Sequence, residues 1–142
     1  MPRLSRFLFG DWLKTSSVEP LTQDVESTHF AASYRDGQRA SHLRRVSLGD
    51  SHLRVVDEVA GFSRKAVLRW RVAPSDWRLE GQRLINRDGS HVLTVEARMP
   101  IVRCELVEGW ESRHYHERTS VPVLEIEVQQ LGTITTEYRW IA

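Results

Sequence analysis

The sequence predicts an all-β protein, an antiparallel two-sheet β-sandwich of about nine to eleven short strands with little or no helix. Three observations predict it. Apolar and polar residues alternate with period two in one segment after another, turn residues recur between those segments, and no stretch repeats its apolar residues at helical spacing. At 142 residues, 40% hydrophobic and 27% charged, the chain is long enough for one domain, 1–142, with its own core.

The N-terminal segment, 1–27, opens with "MPRLSRFLFGDWLK", basic residues ahead of an apolar cluster. Its "FLF" run is too short for the apolar region of a signal peptide. No later stretch approaches the length of a membrane-spanning helix, so no membrane partner is expected. Turn signals then fall at Asp36-Gly37, Gly49-Asp50 and Asp88-Gly89, each between alternating runs, as two-residue hairpin loops do. Gly61, Pro74, Gly81, Pro100, Gly109 and Gly132 punctuate the rest.

The first of these runs can be carried to named pairs. With Gly49-Asp50 as the loop, Leu48 faces Ser51, Val46 faces Leu53, Arg44 faces Val55 and His42 faces Asp57. One face then holds Val46, Leu48, Leu53 and Val55, with His42, Arg44 and Asp57 at its far end. Charges on an apolar face need partners, because an unpaired buried ion is costly. Asp57 is therefore expected to bond its diagonal neighbour Arg44 or its direct neighbour His42. An acid/base cluster is the functional alternative, but the group is read as a structural ion pair locking the hairpin. On the opposite face Arg45 would meet Arg54, either an anion contact or a solvated like-charge pair.

Further along, "AVLRWRV" sets Ala66, Leu68, Trp70 and Val72 against Arg69 and Arg71. "IVRCEL" reads as a strand, making Cys104 a buried thiol in preference to a nucleophile. A single cysteine forms no internal disulfide and lacks zinc-site spacing. "VPVLEIEV" sends Pro122, Leu124, Ile126 and Val128 one way against Glu125 and Glu127. "TITTEYRW" sends Ile134, Thr136, Tyr138 and Trp140 to one side. Each is a strand with one face buried. Trp70 and Trp140 lie on apolar faces and read as core. Trp77 and Trp110 fall near turns, where they either stack on a sugar ring or cover a sandwich edge.

"SRHYHE", 112–117, is the densest cluster of polar chemistry. In a strand His114 and His116 would share a side, but zinc needs a third or fourth ligand and none has a matching spacing. A loop or strand edge with partly exposed imidazoles is the reading; no metal and no cofactor are expected. The net charge of +1 gives no broad reason to expect nucleic acid. Apart from Lys14 and Lys65 every basic side chain is arginine, whose planar fork suits carboxylate and sulfate, although codon bias would produce the same skew.

The stretch "HLRRVSLGDSHLRVVDEVAGFSRKAVLRWRVAPSDWRLEG" resembles the C-terminal β-domain of the heparinase II/III-like polysaccharide lyases. The matching positions are His42, Arg44, Val46, Leu53, Val55, Asp57, Leu68, Trp70 and Pro74. "GWESRHYHERTSVPVLEI" resembles that family's W-x-S-x-x-Y-G segment, with Tyr115 at the tyrosine and His116 where glycine is usual, and "GTITTEYRW" resembles its closing strand. The likeness covers roughly residues 28–140, and its motifs are structural. It implies a β-sandwich that normally follows an α/α toroid, in lyases that cleave uronate-containing polysaccharides such as glycosaminoglycans by β-elimination, in a periplasmic or cell-envelope setting.

In such lyases the tyrosine and most catalytic partners come from the toroid, and a histidine in a His-Asn-Thr-like strand is added by the β-domain. That tripeptide is absent here, and His29 in "STHF" has the wrong neighbours to take the role. The chain is therefore expected to hold no catalytic residues and to be inactive alone. Its candidate partner is an acidic polysaccharide, met by Arg45, Arg54, Trp77, Trp110, Arg113, His114, Tyr115 and His116. A homodimerisation module without carbohydrate role, pairing through an edge strand such as 133–140, is the alternative.

Overall fold

Eleven strands and no helix make up the computed structural model, which describes residues 13–141; the leading "MPRLSRFLFGDW" lies outside them. In chain order the strands are β1 Lys14–Gln23, β2 Thr28–Arg35, β3 Ser41–Leu48, β4 His52–Ala60, β5 Ala66–Arg71 and β6 Trp77–Glu80. They continue with β7 Arg83–Asn86, β8 His91–Ala97, β9 Ile101–Glu111, β10 Thr119–Val128 and β11 Gly132–Trp140. Eight form one antiparallel sheet in the order β1-β2-β3-β4-β11-β8-β7-β6, and three form a second in the order β5-β10-β9. The N-terminal segment thus supplies β1, an exposed edge strand on β2.

The small sheet covers only part of the large one. Leu124, Ile126 and Val128 of β10 are fully buried against Leu84, Leu93, Val95 and Ile134 of β7, β8 and β11, with Leu68, Trp70, Cys104 and Leu106 packed around them. Burying these side chains supplies the main driving force, about 1.5–3 kcal/mol for each large aliphatic one. A bond from Trp70 Nε1 to Thr136 Oγ1 at 3.2 Å links the sheets. Cys104 is partly buried, and desolvation pushes its thiol pKa up, away from nucleophilic use.

Three expectations need correction. First, the loops at Asp36-Gly37, Gly49-Asp50 and Asp88-Gly89 are longer than two residues. The β3–β4 turn spans 49–52, so Leu48 pairs with Leu53, Val46 with Val55, Arg44 with Asp57 and His42 with Val59. The turn closes when the Gly49 amide donates to the His52 carbonyl at 2.9 Å. The shift is two residues, so every side chain keeps its face while its partner changes. Second, Arg45 and Arg54 are not directly opposed: Arg45 pairs across to Val56 and Arg54 to Ser47. Third, β11 is not an edge. It is hydrogen-bonded to β4 on one side and β8 on the other, which leaves its backbone no ladder to offer a second copy.

Candidate functional site

Where the small sheet stops, the large sheet's inner face opens into a cleft of about 900 Å³. Its floor is formed by β3 and β4, and its far wall by β5 and the Gly61–Lys65 connection that leads into it. Gly61 makes that connection possible. Its φ of +71° is a left-handed conformation, and an added Cβ would stand 2.4 Å from the carbonyl oxygen of Arg39, so only glycine lets the chain pass there.

His42, Arg44 and Asp57 meet on the cleft floor. Asp57 is 1% exposed. Its Oδ1 accepts from His42 Nε2 at 2.6 Å and from Arg44 Nε at 2.7 Å, while Oδ2 accepts from Arg44 Nη2 at 3.1 Å. Sequence reasoning brought these three together on one face but exchanged the direct and diagonal partners; Asp57 bonds both. Burial alone would raise the Asp57 pKa, but the hydrogen bonds from His42 and Arg44 outweigh it and hold the carboxyl below its usual value. The Arg44 guanidinium also stands 5.3 Å from the centre of the Trp70 ring. Tyr34 of β2 meets His42 edge to face, with ring centres 5.1 Å apart, and lines the same cleft.

Tyr34, Arg64 and Lys65 were missed as site residues. The local pattern marks Gly61 as a turn, but the fact that this turn arches over His42 follows from sheet order alone.

The other sequence-predicted residues lie elsewhere, in three places. Arg45 and Arg54 are on the outer face of the large sheet, in a shallow groove of about 370 Å³ with His29. Arg45 is ion-paired to Glu58, and Arg54 to Glu137 at 3.5 Å. Trp77 begins β6 at the opposite edge, packs partly buried against the core and donates Nε1 to the Ala73 carbonyl at 2.8 Å, so it covers an edge.

Trp110, Arg113, His114, Tyr115 and His116 cluster at the β9–β10 hairpin, whose connecting residues form a loop. Tyr115 is 90% exposed and Trp110 46%. The Arg118 guanidinium lies 3.9 Å from the Trp110 ring centre, and Arg113 pairs with Glu111 at 2.9 Å. His116 takes a positive φ of 67°, the position at which the resembled motif has glycine. Because the segment is a loop, the alternation that would have put His114 and His116 on one side does not apply. Among the described residues no group of three or more potential metal ligands converges.

On the outer face of the small sheet Lys65, Arg69 and Arg103 are already committed, while Arg71 has no ion-pair partner among the described residues. Lys65 pairs with Glu127 at 2.7 Å, Arg69 with Glu125 at 2.6 Å, and Arg103 with Glu125 at 2.7 Å. Bonds from Arg103 and Arg69 lower the Glu125 pKa, and a bond from Lys65 lowers that of Glu127.

No family model matches the chain, and no curated protein matches it. Solved structures do. A heparinase III superposes with a TM-score of 0.73 at 16% identity, over 91% of this chain and 21% of that one. Heparan sulfate lyase HepC from Pedobacter heparinus gives 0.67 at 16%, over 92% and 22%. A second heparinase III structure gives 0.70 at 10%, over 91% and 23%. At such identities the likeness is one of fold. The whole sandwich corresponds to about a fifth of each lyase chain.

Proposed function

We propose that this chain is a non-catalytic β-domain of a heparinase II/III-like polysaccharide lyase, which supports or binds an acidic, uronate-containing polysaccharide. The observation that carries the reading is the likeness of nearly the entire sandwich to 21–23% of each heparinase III or heparan sulfate lyase chain. It agrees with the resemblance of residues 28–140 to the C-terminal β-domain of those lyases.

The chemistry of the site agrees as well. β-Elimination next to a uronate needs a group that neutralises the carboxylate, a base for the C5 proton and an acid for the departing oxygen. Arg44 directs its fork at Asp57, and His42 uses Nε2 on the same carboxylate. Such a cluster satisfies its own charges, which agrees better with a supporting role than with moving a proton. On the surface, Arg45, Arg54 and Arg113 sit in exposed ion pairs worth about 0–1 kcal/mol, weak enough to be exchanged for a polyanion.

Two assays on the purified chain test the proposal. On heparin and alginate resins at low ionic strength the chain should be retained and then released by salt. Incubated with either polymer, it should produce no growth in the ultraviolet absorbance of the 4,5-unsaturated uronate product. Passage straight through both resins would remove the binding role. Sustained product formation would show that the chain carries a complete reaction centre.

A further inference from the structure

We infer that the cleft over His42, Arg44 and Asp57 is a specific binding site for one acidic sugar unit, a uronate or sulfated residue; this rests on the polysaccharide-binding role proposed above. The volume, about 900 Å³, is that of a small-molecule pocket. Its lining divides by chemistry. Tyr34, Val59, Phe62 and Leu68 give apolar and aromatic surface for the C–H face of a pyranose ring, and the charged groups lie along one side.

Among them Arg44 keeps one donor free. Asp57 occupies Nε and Nη2 of Arg44, and Nη1 has no protein partner among the described residues. No side-chain nitrogen or oxygen in the described structure is both buried and unbonded, so this end of the fork is in contact with solvent, in the cleft that Arg44 lines.

Three cations line the cleft: Arg44 is paired with Asp57 and Lys65 with Glu127, which leaves the exposed Arg64 without a carboxylate partner among the described residues. Of the two acids in the lining, Asp57 is neutralised and Asp36 turns Oδ1 to the amides of Gln38 and Ala40. With Asp36 and Glu127, the partner of Lys65, counted, the charges around the cleft balance. An anion would be drawn not by net charge but by the two guanidinium groups with free donors, Arg64 and Arg44, whose forks match carboxylate and sulfate geometry. The fixed Asp57 carboxylate does further work: it holds Arg44 and His42 in one orientation before a ligand arrives, which lowers the entropic cost of binding.

The test is a titration of the full chain followed by calorimetry and by the ring resonances of His42 and Tyr34. The probes are a sulfated uronate disaccharide, an unsulfated uronate disaccharide, a neutral disaccharide and inorganic sulfate. Binding of either acidic disaccharide with movement of both rings supports the site, and the ranking of the two identifies the anchored group. The neutral sugar and inorganic sulfate should leave the rings in place at the same concentrations.

Arg64→Ala, an exposed change that spares the fold, should weaken binding roughly tenfold. Tyr34→Ala should weaken it further while the melting temperature stays near that of the parent. Unmoved rings, an inorganic sulfate response equal to that of the sugars, or unaltered affinity in Arg64→Ala would overturn the site. If polymer retention persists alongside any of these, the polysaccharide role survives and only the cleft falls; if retention is lost as well, both fall.

Discussion

The two halves of the large sheet are written in the same alternating pattern and end in opposite environments. Around β11, β8 and β7 the inward residues meet Leu124, Ile126 and Val128 and form a dry core. Around β2, β3 and β4 the inward residues include Tyr34, His42, Arg44 and Asp57, and they face a cleft. The difference lies in the opposing layer. The small sheet is three strands wide against eight, and the boundary it leaves is bridged by the Gly61–Lys65 connection. Period two states that one face is hidden from bulk water; what hides it decides whether that face becomes packing or site.

Breaking the open half should have a large effect on stability. Asp57→Ala removes the buried carboxylate that Arg44 and His42 share; because Arg44 keeps solvent access, the cost should fall at the low end for a broken buried pair, about 3 kcal/mol in a denaturant melt. The same residue sets an acid limit. Because the folded-state pKa of Asp57 lies below its unfolded value, the contribution is present above the ordinary aspartate range near pH 3.9. It is lost as pH falls toward the folded value. The melting temperature should therefore drop on acidification below about pH 5, and Asp57→Asn should flatten that part of the profile.

In the covered half Leu124→Ala removes a side chain with no exposed surface from the centre of the core. About 2–5 kcal/mol should be lost, with the cleft's affinity for acidic sugar unchanged in whatever fraction remains folded. If that affinity falls in step with stability, the two halves are not separable.

Gly61→Ala probes the seam between them. The left-handed backbone and the contact with Arg39 should cost on the order of 1–3 kcal/mol and displace the arch over the cleft, so binding should weaken more than stability alone explains. At the lower end, Tyr115→Ala in the exposed β9–β10 loop should leave stability within about 0.5 kcal/mol of the parent by thermal melt.

The strands with one buried face were legible because each local run states its own faces, whereas β1, exposed along its whole length, was not. Ile134, Thr136 and Tyr138 could be assigned to the interior without knowing what lay opposite. Register was less so: a turn over 49–52 and a loop at Gly49-Asp50 preserve the same faces, and the local pattern does not distinguish an even shift. Hence Arg44 and Asp57 were placed together but not as direct partners. Neighbour identity was not legible at all. Nothing in "TITTEYRW" says that the final strand inserts between β4 and β8, and with that order unknown the arch of Arg64 and Lys65 over His42 could not be inferred. For "SRHYHE", 112–117, the sequence left a loop or a strand edge open, and the structure has a loop, while the stacking of Arg118 on Trp110 has no sequence signature.

Hydrogen exchange of the intact chain with and without heparin tests the central claim most directly, that the half of the large sheet left open is where an acidic polysaccharide is held. Added protection should concentrate in 34–44 and 57–68, with β8 and β10 unchanged. Protection confined to the covered half, or none anywhere at a heparin concentration that retains the chain on resin, would contradict the account.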